Sequence, residues 1–182
     1  MIEVEIKIPV KNRNKISKEL LAYGFEEGYL VHESDTYFNS NNYDLRKKDM
    51  ALRVRSCKNI STGQKDAFLT YKGPKMDDRS MTRKELETRV EGEQVCLQII
   101  EGLGFYPLSP VKKWRQYYHL DEITACLDQV EGLGDFLELE IILEEDTEKE
   151  AALERLEDLL EKIGLNKREM VRTSYLSMLC SK

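Results

Sequence analysis

The sequence predicts an α+β fold: a closed antiparallel eight-stranded β-barrel around a polar tunnel, with helices packed outside. Three observations point there. Short stretches alternate apolar residues on one parity with charged residues on the other, the signature of strands with one apolar and one polar face. A strand–helix–strand pattern recurs at an offset of 80 residues, with Gly24-Phe25 mapping onto Gly104-Phe105 and Tyr37-Phe38 onto Tyr117-Tyr118. Two such halves can close a barrel that has no free edges. The chain from Thr147 onward, in contrast, carries helical apolar spacing.

The elements follow in order. In Met1 to Ile8, residues Ile2, Val4, Ile6 and Ile8 share one strand face, and Glu3, Glu5 and Lys7 share the other. Two same-face carboxylates lie roughly 7 Å apart and repel, which a cation between them would relieve. Oxygen-only ligands suit Mg²⁺ or Mn²⁺ rather than zinc. Ile16, Leu20 and Tyr23 space the apolar face of a helix that Gly24 ends as a left-handed cap. Arg53 and Arg55 form a basic pair at strand spacing, and Lys72 ends the strand-like Ala67 to Lys72 before Gly73-Pro74. Lys58 to Lys65 reads as a loop, and Gly73 to Arg79 as a second one long enough to act as a lid.

The second half repeats the device. Arg83, Glu85, Glu87 and Arg89 share one face of Met81 to Val90, and Val95, Ile99 and Leu103 space a helix before Gly104. Val111 to Leu120 places Lys113, Arg115, Tyr117 and His119 on one parity, while Phe136 to Leu143 does so with Glu138 and Glu140. Thr147 and Glu150 form a capping box ahead of the stripe Leu153, Leu156, Leu160 and Ile163, which Gly164 stops. A shorter helix is expected from Glu169 to Leu179. Like charges gathered on single strands fit a cavity holding metal beside the acids and a polyanion beside the bases.

Composition bounds the rest. The 182 residues suit a single domain, 1–182, with pseudo-duplicated halves of about 1–80 and 81–182. Net charge −6 with 34% charged residues disfavours nucleic acid and anionic membrane as partners. No apolar run approaches the ~20 residues of a membrane span, and charges from Glu3 onward leave no signal-peptide core. Cys57, Cys96, Cys126 and Cys180 lack metal-site or disulfide spacing, in keeping with a cytoplasmic chain.

Glu3-Val4-Glu5-Ile6-Lys7 resembles the E-x-E-x-K strand of the CYTH superfamily, which contains class IV adenylyl cyclases, thiamine triphosphatases and inorganic triphosphatases. The resemblance runs in order through Asp35-Thr36-Tyr37-Phe38, Leu52 to Arg55, Leu69 to Pro74, Arg83 to Glu87, Lys113-Trp114-Arg115 and Leu127 to Glu140. It implies a barrel holding a triphosphate in its tunnel, with Mg²⁺ or Mn²⁺ as cofactor. Glu3, Glu5, Glu138 and Glu140 would hold metal, with Asp128 and Glu85 or Glu87 assisting. Lys7, Arg53, Arg55, Lys72, Arg83, Lys113 and Arg115 would grip the triphosphate, and Glu3, Glu5, Lys7 and Asp128 would form the catalytic set. Lys167, Arg168 and Arg172 are candidates for a C-terminal basic contact. The favoured expectation is a class IV adenylyl cyclase making cyclic AMP and pyrophosphate from ATP. The alternatives are hydrolysis of thiamine triphosphate or another organic triphosphate, and triphosphate binding without turnover. A base or thiazolium could stack on Tyr37, Tyr117 or Trp114, of which outward parity makes Trp114 more a core residue. A homodimer through outer surfaces is compatible with this architecture.

Overall fold

The computed structural model of the chain describes residues 1–181. Its strands are β1 (Ile2–Pro9), β2 (Glu26–Asn39), β3 (Ala51–Asn59), β4 (Lys65–Lys75), β5 (Arg83–Val90), β6 (Tyr106–Pro107), β7 (Val111–Leu120), β8 (Ile123–Val130) and β9 (Gly134–Leu143). Its helices are α1 (Arg13–Tyr23), α2 (Glu93–Gly102), α3 (Lys149–Lys162) and α4 (Tyr175–Cys180). Eight strands pair in the order β3-β4-β5-β1-β9-β8-β7-β2, and β2 pairs back onto β3, closing an antiparallel barrel. The two-residue β6 prolongs the β7 edge of β2 through Phe38 and Asn39. The seam between β1 and β5 is short, with Ile2 opposite Lys84 and Glu3 opposite Arg83.

Alternation assigns the two faces. On β1 the apolar residues turn outward under helices, and the charged ones turn into the barrel, so both faces are buried. Ile2, Val4, Ile6 and Ile8 join Leu137, Leu139 and Ile141 of β9 in a core covered by α1 and α3. The α3 stripe Leu153, Leu156, Leu160 and Ile163 is fully buried there. Each such leucine contributes about 2 kcal/mol of burial. Asn12 caps α1 by accepting from the Lys15 amide at 3.0 Å, and Gly24 ends it at φ 114°, a left-handed position that glycine adopts without strain.

Several expectations shift. On α2, Val95, Ile99 and Leu103 are 59%, 58% and 73% exposed, whereas Ile100 is 5% exposed and packs on Phe38 and Val54. The helix is apolar on more than one side, and the barrel wall selects the other face. Thr147 is not the N-cap of α3; it lies in a 3₁₀ turn, the helix starts at Lys149, and Glu148 at the cap makes no side-chain cap bond. The expected helix from Glu169 to Leu179 is replaced by a 3₁₀ turn at Lys167–Glu169, a non-helical strap and the short α4. Strand β4 does not stop at Gly73-Pro74 but continues to Lys75 through a register shift, which shortens the predicted lid. Trp114 is exposed on the outer wall, edge-on to His32 at 4.8 Å, rather than in a core. Among the described residues no helix is long and apolar enough to cross a membrane.

Candidate active site

The barrel encloses a cavity of about 1040 Å³ that opens to solvent. Inward parity delivers Glu3, Glu5 and Lys7 from β1, Arg53 and Arg55 from β3, and Lys72 from β4. Arg83, Glu85 and Glu87 come from β5, Lys113 and Arg115 from β7, and Glu138 and Glu140 from β9. All of these predicted residues line one space. Tyr37 and Tyr117 line it too. Arg89 instead turns to Asp66 at the surface. Of the three C-terminal candidates, Arg172 lines the cavity, donating to the carbonyls of Ser80 at 3.2 Å and Asp77 at 2.9 Å. Lys167 pairs with Glu161 on the surface.

Asp128 sits elsewhere. It is fully buried behind Arg115, which grips it through Nε and Nη2, both at 2.6 Å, and it does not line the cavity.

Register sets the electrostatics. Like pairs such as Glu3 with Glu5 and Arg53 with Arg55 sit on single strands, and neighbouring strands bring opposite signs together. Lys7 Nζ lies 3.1 Å from Glu138, which also binds Arg115. Lys72 Nζ lies 2.7 Å from both Glu3 and Glu85. Burial alone would raise Glu3, yet Lys72, a hydrogen bond with Glu85 and the charge of Arg53 together hold the carboxyl down at about 2. In three other acids burial and neighbouring carboxylates outweigh the nearby cations. Burial, then the charge of Glu138, pushes Glu5 up to about 7. Burial, then Glu3, pushes Glu140 up to about 8, and burial with a hydrogen bond to Glu3 pushes Glu85 up to about 7. Glu5 stands directly opposite Glu140 across β1 and β9, so the pair concentrates negative charge that Lys7, 3.7 Å from Glu5, offsets only in part.

Two acids absent from the predicted site organise the basic wall. Glu33 and Asp35 on β2 are each 1% exposed. Asp35 accepts from Arg55 Nε at 2.7 Å and Nη2 at 2.8 Å, and lies 3.4 Å from Arg53 and from Lys113. Glu33 reaches Lys113 at 3.0 Å, Arg55 at 3.2 Å and the Tyr117 hydroxyl at 3.2 Å. Against the cost of burial, these cations hold Glu33 at about 2 and Asp35 well below the usual range. Glu33-Ser34-Asp35 is one more acidic pair at strand spacing, the same signal as Glu3 and Glu5. Tyr175, on α4, is a further cavity residue that sequence spacing did not single out.

Fold and interior together define a charge-lined tunnel barrel, with one wall rich in carboxylates and another in guanidinium and ammonium groups. The family model for the CYTH domain matches residues 1–175, and the chain belongs to the CYTH domain family. It is 39% identical to a protein of Methanocaldococcus jannaschii named "Putative adenylate cyclase MJ0240", over 98% of each chain. Adenylate cyclase CyaB of Aeromonas hydrophila is 23% identical over 80% of this chain and 71% of its own. Among solved structures, the PH1819 protein of Pyrococcus horikoshii OT3 superposes with a TM-score of 0.89 at 34% identity, covering 98% of both chains.

Proposed function

We propose that this protein is a divalent-metal-dependent enzyme acting on a triphosphate held in the tunnel, with conversion of ATP to cyclic AMP and pyrophosphate as its reaction. The observation that carries the reading is the meeting of two walls in one cavity. One wall has carboxylates pushed to about 7 and 8 by burial and then by neighbouring carboxylates, and the other holds Arg53, Arg55, Lys113 and Arg115. The near-full-length relative named "Putative adenylate cyclase MJ0240" supports it.

Glu3, Glu5, Glu85, Glu138 and Glu140 form an all-oxygen donor set that fits a hard cation such as Mg²⁺ or Mn²⁺. Among the described residues no three acids, histidines or cysteines converge as a ready-made cage, because Lys7 and Lys72 hold several of them. Those ammonium groups would release the carboxylates once phosphate oxygens arrived. A bound divalent ion would supply charge neutralisation at the phosphates and at the attacking oxygen. The arginines fork onto phosphate oxygens and the lysines act as point charges. Held this way, the ribose 3′-hydroxyl would attack the α-phosphorus, its proton would leave to water in the open tunnel, and the bond to the β-phosphate oxygen would break to release pyrophosphate. Positioning and electrostatic stabilisation do most of the work. Asp128, behind Arg115, stays outside this donor set and orients that guanidinium.

Hydrolysis of thiamine triphosphate or another organic triphosphate is the second reading. The same charged walls would serve it, with a positioned water in place of the sugar hydroxyl.

The deciding assay incubates the protein with ATP and, separately, thiamine triphosphate, each with Mg²⁺ and with Mn²⁺. Cyclic AMP plus pyrophosphate is the expected outcome. Orthophosphate without cyclic AMP would move the protein to the hydrolases, and binding without product would reduce it to a binding protein.

Metal dependence has a second readout. The raised folded values of Glu5, Glu85 and Glu140 mean that the folded state binds more protons than the unfolded chain above about pH 4.5. The metal-free protein is therefore expected to lose several degrees of melting temperature between about pH 5 and about pH 8. Mg²⁺ or Mn²⁺ should restore more at the upper end than at the lower. A flat profile with no metal response would count against the carboxylate cluster as a cation site.

A further inference from the structure

We propose that Tyr175 is a positioning residue that sets three cations of the tunnel at once, and through them the grip on a triphosphate chain. The inference rests on the triphosphate reading of the tunnel. The Tyr175 ring lies under two ammonium groups, with Lys7 Nζ at 4.2 Å and Lys113 Nζ at 5.7 Å from its centroid. Its hydroxyl donates to Asp128 Oδ2 at 3.0 Å. Asp128 in turn holds the guanidinium of Arg115 in a two-point grip, with both contacts at 2.6 Å. One side chain thus touches two cations directly and a third through a carboxylate.

The surroundings fix the ring. The strand-like strap before α4 is pinned where the Val171 amide donates to the Lys7 carbonyl at 2.8 Å. Arg172 ties the same strap to the turn at Asp77 and Ser80. Ser174 caps α4 by accepting from the Ser177 amide at 3.2 Å. Phe136 meets the Tyr175 ring edge-on, with centroids 5.1 Å apart. With 6% of its surface exposed, the ring is held on one side by apolar neighbours. Its other side faces the tunnel cations.

A tyrosine used only as core filler would need neither arrangement. Leucine or phenylalanine would fill the same apolar cluster, and a buried hydroxyl can be satisfied by any backbone carbonyl. Here the hydroxyl meets a charged group that already serves Arg115, and the π face meets cations that carboxylates pull from their other sides. Lys7 is drawn toward Glu138 and Lys113 toward Glu33. The ring gives both ammonium groups a neutral support, which lets them trade those carboxylates for phosphate oxygens without leaving the tunnel wall.

The test titrates the full chain with inorganic tripolyphosphate in the absence of metal, comparing wild type, Tyr175→Phe and Tyr175→Leu. Loss of the hydroxyl alone should weaken binding about tenfold. Loss of hydroxyl and ring should weaken it about a hundredfold. A purely structural role predicts lower melting temperatures with tripolyphosphate affinity within about twofold of wild type, and that result would overturn the proposal. A second readout is independent of binding. The side-chain methylene protons next to Nζ of Lys7 and Lys113 should be shifted upfield by the ring in wild type and Tyr175→Phe, and return to ordinary values in Tyr175→Leu. Absence of that shift in wild type would overturn it as well. Wild type that binds tripolyphosphate but turns over no nucleotide would sink the proposed reaction and leave this inference standing. Wild type that binds no tripolyphosphate would end both.

Discussion

Glu5→Gln is expected to lower metal-dependent turnover by about 10²-fold or more while raising the melting temperature of the metal-free protein at about pH 8. Glu5 sits opposite Glu140 and is pushed up to about 7 by burial and by Glu138 and Glu3. Ionised, it costs the empty fold free energy; as a neutral amide of the same shape it does not. The sign follows from linkage. A carboxyl whose folded value exceeds its unfolded one loses stability as pH rises between the two, and the substitution removes that loss. A residue that harms the fold yet is needed for turnover is what a functional carboxylate should look like. Glu138→Gln should differ, because Glu138 receives both Lys7 and Arg115, so it should lose turnover and stability together. Melting curves and product assays on both variants check this. Normal turnover in Glu5→Gln would remove it from the site, and a lower melting point would make it a structural partner of Lys7, 3.7 Å away.

Asp35→Asn should cost about 3–5 kcal/mol of stability, the largest effect on the fold among these substitutions. Asp35 neutralises Arg55 at 2.7 Å and stands 3.4 Å from both Arg53 and Lys113, so its removal leaves a buried cluster of positive charge. The defect should be relieved by tripolyphosphate, whose oxygens can take the place of the lost carboxylate. Urea unfolding with and without tripolyphosphate measures both. A loss below about 1 kcal/mol would show that Glu33 alone suffices to balance the wall, and a loss that tripolyphosphate does not relieve would show that the anion does not reach these arginines.

Much of the barrel was legible because strand parity is a local property. Once Glu3, Glu5 and Lys7 share a face, they enter the tunnel together, and the same holds for Arg53 with Arg55 and Glu138 with Glu140. The stripe of α3 was legible for the same reason, since Leu153, Leu156 and Leu160 leave one apolar side. On α2 the pattern was ambiguous: Val95, Cys96, Leu97, Ile99, Ile100 and Leu103 surround much of the helix. Which side is buried depends on where Phe38 and Val54 lie on the wall beneath it. The capping box at Thr147 failed because a 3₁₀ turn took up those residues before the helix began.

By itself the sequence determined which residues face inward, because alternation follows from the pleat and needs no partner strand. Only the tertiary structure decided which inward residues meet. The pairing of Glu5 with Glu140 and of Asp35 with Arg55 depends on the register between strands far apart in the chain. The retreat of Asp128 behind Arg115 and the arrival of Tyr175 beneath Lys7 depend on barrel closure and on the strap that Val171 pins to β1. Long-range register and closure are set by packing of the whole molecule, and a local period carries no record of them.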